Sequence, residues 1–320
     1  WNELRFTDGT ETNVLPYEVE KWDVGGTSYV WVAVNELTGE GSTAIYAYWG
    51  KADETAVPVY ATNGAVWAEG FRMVHHFGEA ANPHVDATSN GNDSVYGTTV
   101  ANHDVGGAVG RADEWDGSAS HVDFDAAASL NANGAVTFAF WCYPHGEDSW
   151  NGLLEYNNGS DIGTHIYINF DTDAERGADY LWANLSDTDG TGHGYAAANC
   201  AIANAWTHLV ITRDGATVKA YRNGTEVAFT VADDQMGAGT LLQTSYDLQL
   251  GYRKSSSSLH FDGLMDELRI SGMARSSDWI WAEYQSVASN ETDFIPYGSA
   301  VLNQGLAWQG FTNRVAITIE

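Results

Sequence analysis

From Trp206 to Phe229 the chain reads WTHLVITRDGATVKAYRNGTEVAF. Leu209 and Ile211 alternate with His208, Val210 and Thr212; further on, Val218, Ala220 and Arg222 alternate with Lys219 and Tyr221. A period of two belongs to a strand. The dipeptides Asp214-Gly215 and Asn223-Gly224 separate the runs and tolerate the positive φ of tight hairpin turns. A three-stranded meander does not stand alone in water, so the rest of the chain must supply a facing sheet. The same period recurs in Ser28–Val34, where Tyr29, Trp31 and Ala33 oppose Val30, Val32 and Val34, and Ala44–Gly50 reads as another strand. Residues 4–22 read as strand, turn, strand around Asp8-Gly9. One helix is expected, over 276–288: Ser276 or Ser277 caps it, Asp278 favours its dipole, and Ile280, Tyr284 and Val287 form its stripe. At the end of the chain Val315, Ile317 and Ile319 alternate with polar or small residues, an apolar strand in need of a partner. The pattern predicts an all-β protein with one short C-terminal helix.

The chain has 320 residues, room for one large β domain or two unequal ones. No run of about 18 apolar residues offers a transmembrane helix. Its 14 Lys and Arg stand against 43 Asp and Glu, a net charge of −29. Such a surface repels nucleic acid and anionic membranes, because phosphate binding needs a basic patch. Scattered carboxylates and only four lysines suit salty water; some carboxylates are also free to gather at a cation. The chain opens at Trp1 inside strand-like sequence, so we expect a fragment or a processed product. Cys142 and Cys200 lie in no metal-binding spacing. They form one disulfide closing a long loop, or they remain two buried thiols.

Two resemblances are carried by longer motifs. "LRFTD…LPYEVEKWD…VWVAV…IYAYWG" resembles a domain of unknown function that often precedes LamG-like jelly rolls in large bacterial surface proteins. That family has one or two further strands before "LRFTD", and they are missing at residue 1. Next come "RMVHHFGEAANPHVDATSNGND", "VGGAVGRADEWDGSASHVDF", "VTFAFWCYP", the 206–229 meander and "FDGLMDELRISGMARSSDWIWAEYQS". In this order they resemble bacterial LamG-like, concanavalin A-like domains over roughly 66–288. The resemblance implies a concanavalin A-like jelly-roll sandwich over 66–288, after a smaller, incomplete β domain over 1–65. Residues 289–310 then read as a linker. Residues 311–320 resemble the strand missing at the start, and would complete a small β domain in this chain, in a neighbour or in the next repeat of an array.

A glycosidase of this fold needs two carboxylates flanking the cleaved bond, expected at alternate positions of one strand as in Glu-x-Asp-x-x-Glu. No such run occurs: Asp123 and Asp125 alternate without a third acid, and Asp262, Asp266 and Glu267 are wrongly spaced. Neither a serine-nucleophile elbow nor a phosphate-binding loop is present. Calcium is the expected cofactor, as one structural ion. "VDATSNGND" offers Asp86, Asn90, Asn92 and Asp93, and "FDGLMDE" offers Asp262 and Asp266. The resemblance places these two segments side by side, so that Asp86 and Asp266 would share the ion. The same residues also serve plain turn chemistry. His75 and His76 are adjacent on a strand, so they point to opposite faces and do not share a metal.

Among 13 Trp and 16 Tyr, those beside amides in loops suit a sugar-binding rim: Trp150, Tyr156, Asn158, Trp182 and Asn184. The expected function is a non-catalytic extracellular structural or adhesion module of a repetitive bacterial surface protein or filament. Its partners would be copies of itself or neighbouring repeats, and possibly polysaccharide. A calcium-dependent lectin is the alternative, and a glycoside hydrolase the least favoured.

Overall fold

The computed structural model describes residues 1–320 except 39–40, 96–98, 133, 148–149, 234, 255–257, 289–293, 304–307 and 309. The N-terminal stretch forms β1 (Arg5–Asp8), β2 (Val14–Leu15), β3 (Tyr17–Lys21), β4 (Tyr29–Val32) and β5 (Thr43–Trp49). The middle forms β6 (Phe71–His75), β7 (Asn102–Gly106), β8 (Arg111–Asp116), β9 (Val122–Phe124), β10 (Ala135–Pro144), β11 (Asn151–Asn157), β12 (Ile162–Asn169) and β13 (Tyr180–Asn184). It continues with β14 (Gly194–Ala197), β15 (Thr207–Asp214), β16 (Thr217–Arg222), β17 (Thr225–Val227), β18 (Val231–Asp233), β19 (Asp247–Leu250) and β20 (Asp262–Ser271). Helix α1 (Ser277–Ala288) follows, then β21 (Val301–Leu302) and β22 (Asn313–Ile319).

Two compact units result: Trp1–Ala68 with Ala282–Glu320, and Glu69–Trp281. The first contains a sheet of order β2-β1-β5-β22-β21 and the separate pair β3-β4. Strand β22 runs antiparallel to β5 from Asn313↔Trp49 to Ile319↔Thr43 and takes β21 on its other side. The terminal strand therefore pairs within its own chain. Ile317 joins a core of Phe6, Leu15, Tyr17, Ile45, Ala47 and Ala61, with Val315 packed against it, and Ile319 is buried. The segment read as a linker is not bare: it holds β21, and Tyr297 bridges to Ile317.

The second unit is a sandwich. One sheet runs β17-β16-β15-β10-β20-β8-β7, with β6 also paired to β20; the other runs β18-β14-β13-β12-β11-β19-β9. Long β20 serves two partners in turn, β8 along Asp262–Met265 and β6 along Leu268–Ser271, with Glu267 at φ 52 between them. The turn dipeptides set the meander register, giving Ile211↔Ala220 and Leu209↔Arg222. Phe138, Phe140, Leu209, Ile211, Leu268 and Ile270 of the first sheet share one core with Tyr156, Ile166, Ile168, Leu181 and Leu248 of the second. Ser276 caps α1, its Oγ accepting the Trp279 N–H at 3.2 Å. Ile280 packs on the outer side of the first sheet against Ala139, Val210 and Tyr221.

The disulfide alternative is corrected: Cys142 and Cys200 are free and buried. Each is packed into the sandwich core as a small apolar side chain. Burial pushes the Cys142 thiol up to about 12 and Cys200 up to about 11, so neither is a nucleophile at neutral pH. A thiol-reactive dye is expected to leave the native chain unlabelled and to label both cysteines in denaturant without reductant. Failure to label the unreduced, denatured chain would restore the disulfide.

Candidate functional site

On the second sheet of the sandwich, every other side chain turns away from the core. Ile166 and Ile168 point inward from β12, leaving His165 and Tyr167 outward. Leu181 and Ala183 leave Trp182 and Asn184 outward on β13; Leu248 and Leu250 leave Gln249 on β19; Val122 and Phe124 leave Asp123 on β9. On β11 a register shift between Gly152 and Leu154 puts both Leu153 and Leu154 into the core. The alternation changes phase there, turning Glu155 out and Tyr156 in.

The outward residues line up across strands: Asp123↔Gln249↔Glu155↔His165↔Asn184. Neighbours in such a row sit about 4.8 Å apart in the hydrogen-bonding direction. Glu155 Oε1 accepts the Asn157 amide at 2.9 Å, and its Oε2 lies 3.5 Å from Arg253 Nε. Gln249 is fully buried, and neither end of its amide has a hydrogen-bond partner among the described residues. The Asn184 Oδ1 is buried in the same condition. Burial, with the nearby Arg253 charge, lowers His165 to about 4, so its imidazole is neutral at pH 7. Burial also raises Asp123, against the pull of His121 and Lys254. Tyr252 is pushed up to about 12 by burial and then by the Asp123 and Glu155 charges. Its ring lies 5.0 Å from His121 and stacks on His260 at 5.8 Å.

Beside this polar row stands a wall of rings. Trp150 packs on Tyr167 at 5.3 Å, and Tyr167 stacks on Trp182 at 6.3 Å. The Arg176 guanidinium sits 4.6 Å over the Trp182 ring. Gly194 makes room for that indole, because a Cβ there would come 2.5 Å from it. Trp150 is held at φ 68, uncommon for a large side chain, and stays 39 % exposed. Aromatic faces bind the C–H face of a sugar ring, and buried amide, carboxylate and imidazole groups fix orientation by hydrogen bonding.

Of the rim expected from sequence, Trp150, Trp182 and Asn184 lie on this outward side. Asn158 instead builds the β11–β12 turn, its Oδ1 accepting the Ser160 and Asp161 N–H groups. Tyr156 is corrected: it is a fully buried core residue, because of the phase change at Leu153. Asp123, Glu155, His165, Tyr167 and Gln249 were not singled out for sugar binding, since cross-strand neighbours leave no spacing signal along the sequence.

In the loop expected to hold calcium, hydrogen bonds of the turn engage the oxygens named for the ion. Asp86 Oδ1 accepts the Val74 and Thr88 N–H groups, each at 3.0 Å. Its Oδ2 accepts Thr88 Oγ1 at 2.8 Å and the Asn92 N–H at 2.9 Å, so two donors already occupy each oxygen. Asn90 and Asn92 both donate to the Arg72 carbonyl, and Asp93 accepts the Asp86 N–H. Asp266 accepts the Val109 N–H, and Asp262 lies 3.1 Å from His145 Nδ1. None of Asp86, Asp262 and Asp266 belongs to a converging group of three His, Cys, Asp or Glu among the described residues. The loop is an Asx-type turn stitched to β6. His75 and His76 do point apart: His75 bonds the Asn92 carbonyl and packs on Phe124, while His76 bonds Glu267.

A family profile described as the concanavalin A-like lectin/glucanases superfamily matches residues 116–281. A second, described as a domain of unknown function (DUF2341), matches residues 1–89. No curated protein is significantly similar in sequence. Among solved structures, the binding domain of botulinum neurotoxin serotype G is 12 % identical, with a TM-score of 0.52 over 67 % of this chain and 50 % of that one. The binding domain of Paraclostridial Mosquitocidal Protein 1 is 15 % identical, with a TM-score of 0.50 over 68 % of this chain and 52 % of that one. The chain thus spans about half the length of these two structures. Domain 4 of the extracellular arabinanase AbnA from Geobacillus stearothermophilus, in complex with arabinotriose, is 20 % identical, with a TM-score of 0.46 over 66 % of this chain and 96 % of that one. The described residues hold no helix long and apolar enough to cross a membrane. With a matching profile over more than half its length and two facing sheets to match, the chain belongs to the concanavalin A-like lectin/glucanase superfamily, its sandwich preceded by a DUF2341 domain.

Proposed function

We propose that the outward side of the β9–β19–β11–β12–β13 sheet binds carbohydrate, and that the chain is a non-catalytic extracellular binding module. The observation that carries this reading is the ring wall of Trp150, Tyr167 and Trp182 beside a row of amide, carboxylate and imidazole groups. Within that row neither end of the buried Gln249 amide has a hydrogen-bond partner among the described residues, so the sheet beside the ring wall is polar as well as aromatic. Binding without hydrolysis is supported by the engagement of Glu155, whose two oxygens face Asn157 and Arg253. Adhesion at a bacterial cell surface fits the acidic surface, which is soluble in salt and indifferent to nucleic acid. Donation of β22 to a neighbour is not part of this reading, because the strand is already paired on both sides.

The test is a polysaccharide panel in affinity electrophoresis, with reducing ends assayed in parallel. The wild type is expected to be retarded by at least one polysaccharide without releasing reducing ends. Trp150→Ala and Trp182→Ala should each weaken that retardation about tenfold, the equivalent of about 1.4 kcal/mol. No retardation by any polysaccharide, or equal retardation of both variants, would remove the reading; released reducing ends would replace it with hydrolysis.

A further inference from the structure

We propose that His84, Asp113 and His103 form a zinc-class metal site at the β7–β8 edge of the sandwich, with Glu79 orienting His84. The three residues share no sequence motif, yet their ligand atoms lie within 4.8 Å of one another. His84 Nε2 is 2.9 Å from Asp113 Oδ2, and His103 Nδ1 is 3.1 Å from Asp113 Oδ1.

The state of the buried atoms is the second observation. His84 and Asp113 are both fully buried. His84 Nε2 and Asp113 Oδ2 nevertheless make no hydrogen bond with acceptable geometry, to each other or to any other described residue. Their 2.9 Å contact is an ion pair without hydrogen-bond geometry, so each is charge-compensated yet poorly bonded unless something between them satisfies both. A cation does so.

The surroundings match what metal-bound imidazoles require. The other His84 nitrogen, Nδ1, meets Glu79 Oε2 at 3.1 Å, which leaves Nε2 free to ligate. Glu79 is itself fixed, its Oε1 accepting the Val85 N–H at 2.9 Å. The His84 backbone is locked to Ser94 by two bonds of 2.7 and 2.9 Å, and the Phe77 ring packs edge-on 5.2 Å from the imidazole. His84 is thus positioned by its own loop, while β7 and β8 bring His103 and Asp113 side by side.

Ligand chemistry selects the ion. Two imidazoles and one carboxylate suit zinc or a neighbouring divalent transition metal, whereas calcium and magnesium prefer all-oxygen sets. Tetrahedral ligands about 2.0–2.1 Å from zinc stand about 3.3 Å apart. The two imidazoles here reach different oxygens of Asp113, so binding through one of them draws in ligand atoms that now lie within 4.8 Å of one another. His103 is 22 % exposed in its side chain, which opens the fourth position to water. One divalent ion with Asp113 and Glu79 also gives a locally neutral site. Bound there, it would clamp the 78–94 loop onto the sheet edge.

The experiment uses the full, tag-free chain, stripped with chelator and titrated with zinc by calorimetry; cobalt is then used to read coordination from its visible absorption. One zinc per chain is expected, undiminished by millimolar calcium or magnesium, with a tetrahedral cobalt spectrum and a melting temperature that rises with zinc. His103→Ala, at a partly exposed position that leaves the core intact, should weaken binding at least tenfold. Glu79→Gln should weaken it about 10–100-fold, the range seen for outer-shell partners of metal ligands. Absence of saturable zinc binding by the wild type, or unchanged affinity in both variants, would overturn the proposal. None of these residues belongs to the carbohydrate face, so the outcome is independent of the sugar-binding tests.

Discussion

A chain ending at residue 310 is expected to lose the cooperative fold of its N-terminal unit while the sandwich persists. Strand β22 is not an appendage. It matches β5 along seven residue pairs, and Ile317 sits in the same core as Phe6, Tyr17, Ile45 and Ala47. Arg314 also pairs with Glu11 at 2.8 Å, linking the end of the chain to the turn after β1. Truncating a buried isoleucine to alanine alone costs about 2–5 kcal/mol, against a total stability of about 5–15 kcal/mol for an ordinary domain. Removing the whole strand takes away that side chain, its neighbours Val315 and Ile319, and the ladder that covers β5. The bared β5 edge, carrying Ile45, Tyr46 and Tyr48, would then invite pairing with other chains. Limited proteolysis should cut the shortened chain throughout 1–68 and spare 69–281, and a peptide of residues 311–320 added in trans should restore protection. Ile317→Ala should show the same sensitivity in milder form. A protected N-terminal unit in the shortened chain would mean that β22 is dispensable to its core.

The 206–229 meander was legible because its turn dipeptides leave one register, which β15 and β16 adopt. The helix was legible because Ser276, Asp278 and Ile280 each carry a local signal that tertiary packing reinforces. Strand β11 was not. In NGLLEYN the inward pair Leu153-Leu154 shifts the phase, and no local preference distinguishes such a bulge from plain alternation. Read as a loop aromatic beside amides, Tyr156 suits a sugar-binding rim; the shifted phase buries it and turns Glu155 outward instead. Asp123 and Glu155 share one side of the sheet across β19, a placement that no spacing along a single strand can show. The calcium expectation rested on Asp, Asn and Gly, which serve a turn equally well, and the backbone took both Asp86 oxygens. Strand β21 is two residues long, too short to show any period.

Mild acid is the other condition expected to have a large effect, because several histidines are buried in neutral form. Burial, and then the Arg269 charge, lowers His208 to about 3. His165 is lowered to about 4 by burial and Arg253, and His75 is lowered chiefly by burial. A histidine whose folded pKa lies below its unfolded value of about 6.5 binds fewer protons folded than unfolded, so stability falls as pH drops below 6.5. The loss continues down to about 3 for His208 and about 4 for His165, and nothing is lost above neutrality. At pH 5 each of these two removes about 2 kcal/mol, at 1.36 kcal/mol for each pH unit below 6.5. Another effect has the opposite sign. The chain carries a net charge of −29, and acidification toward its isoelectric point of 4.3 relieves self-repulsion. Salt screens that relief but leaves the buried rings untouched. Urea melts at pH 7 and pH 5 in high salt should therefore show the sandwich weakened, by about 2 kcal/mol from each of His165 and His208 with a further loss from His75. In His208→Gln the difference between the two pH values should shrink by about 2 kcal/mol, whatever the variant's own stability. Because the readout is a difference of differences, packing losses from the substitution cancel. An unchanged difference would mean that the folded chain protonates His208 as readily as the unfolded one, and that its place beside Trp141 and Arg269 does not exclude a charge.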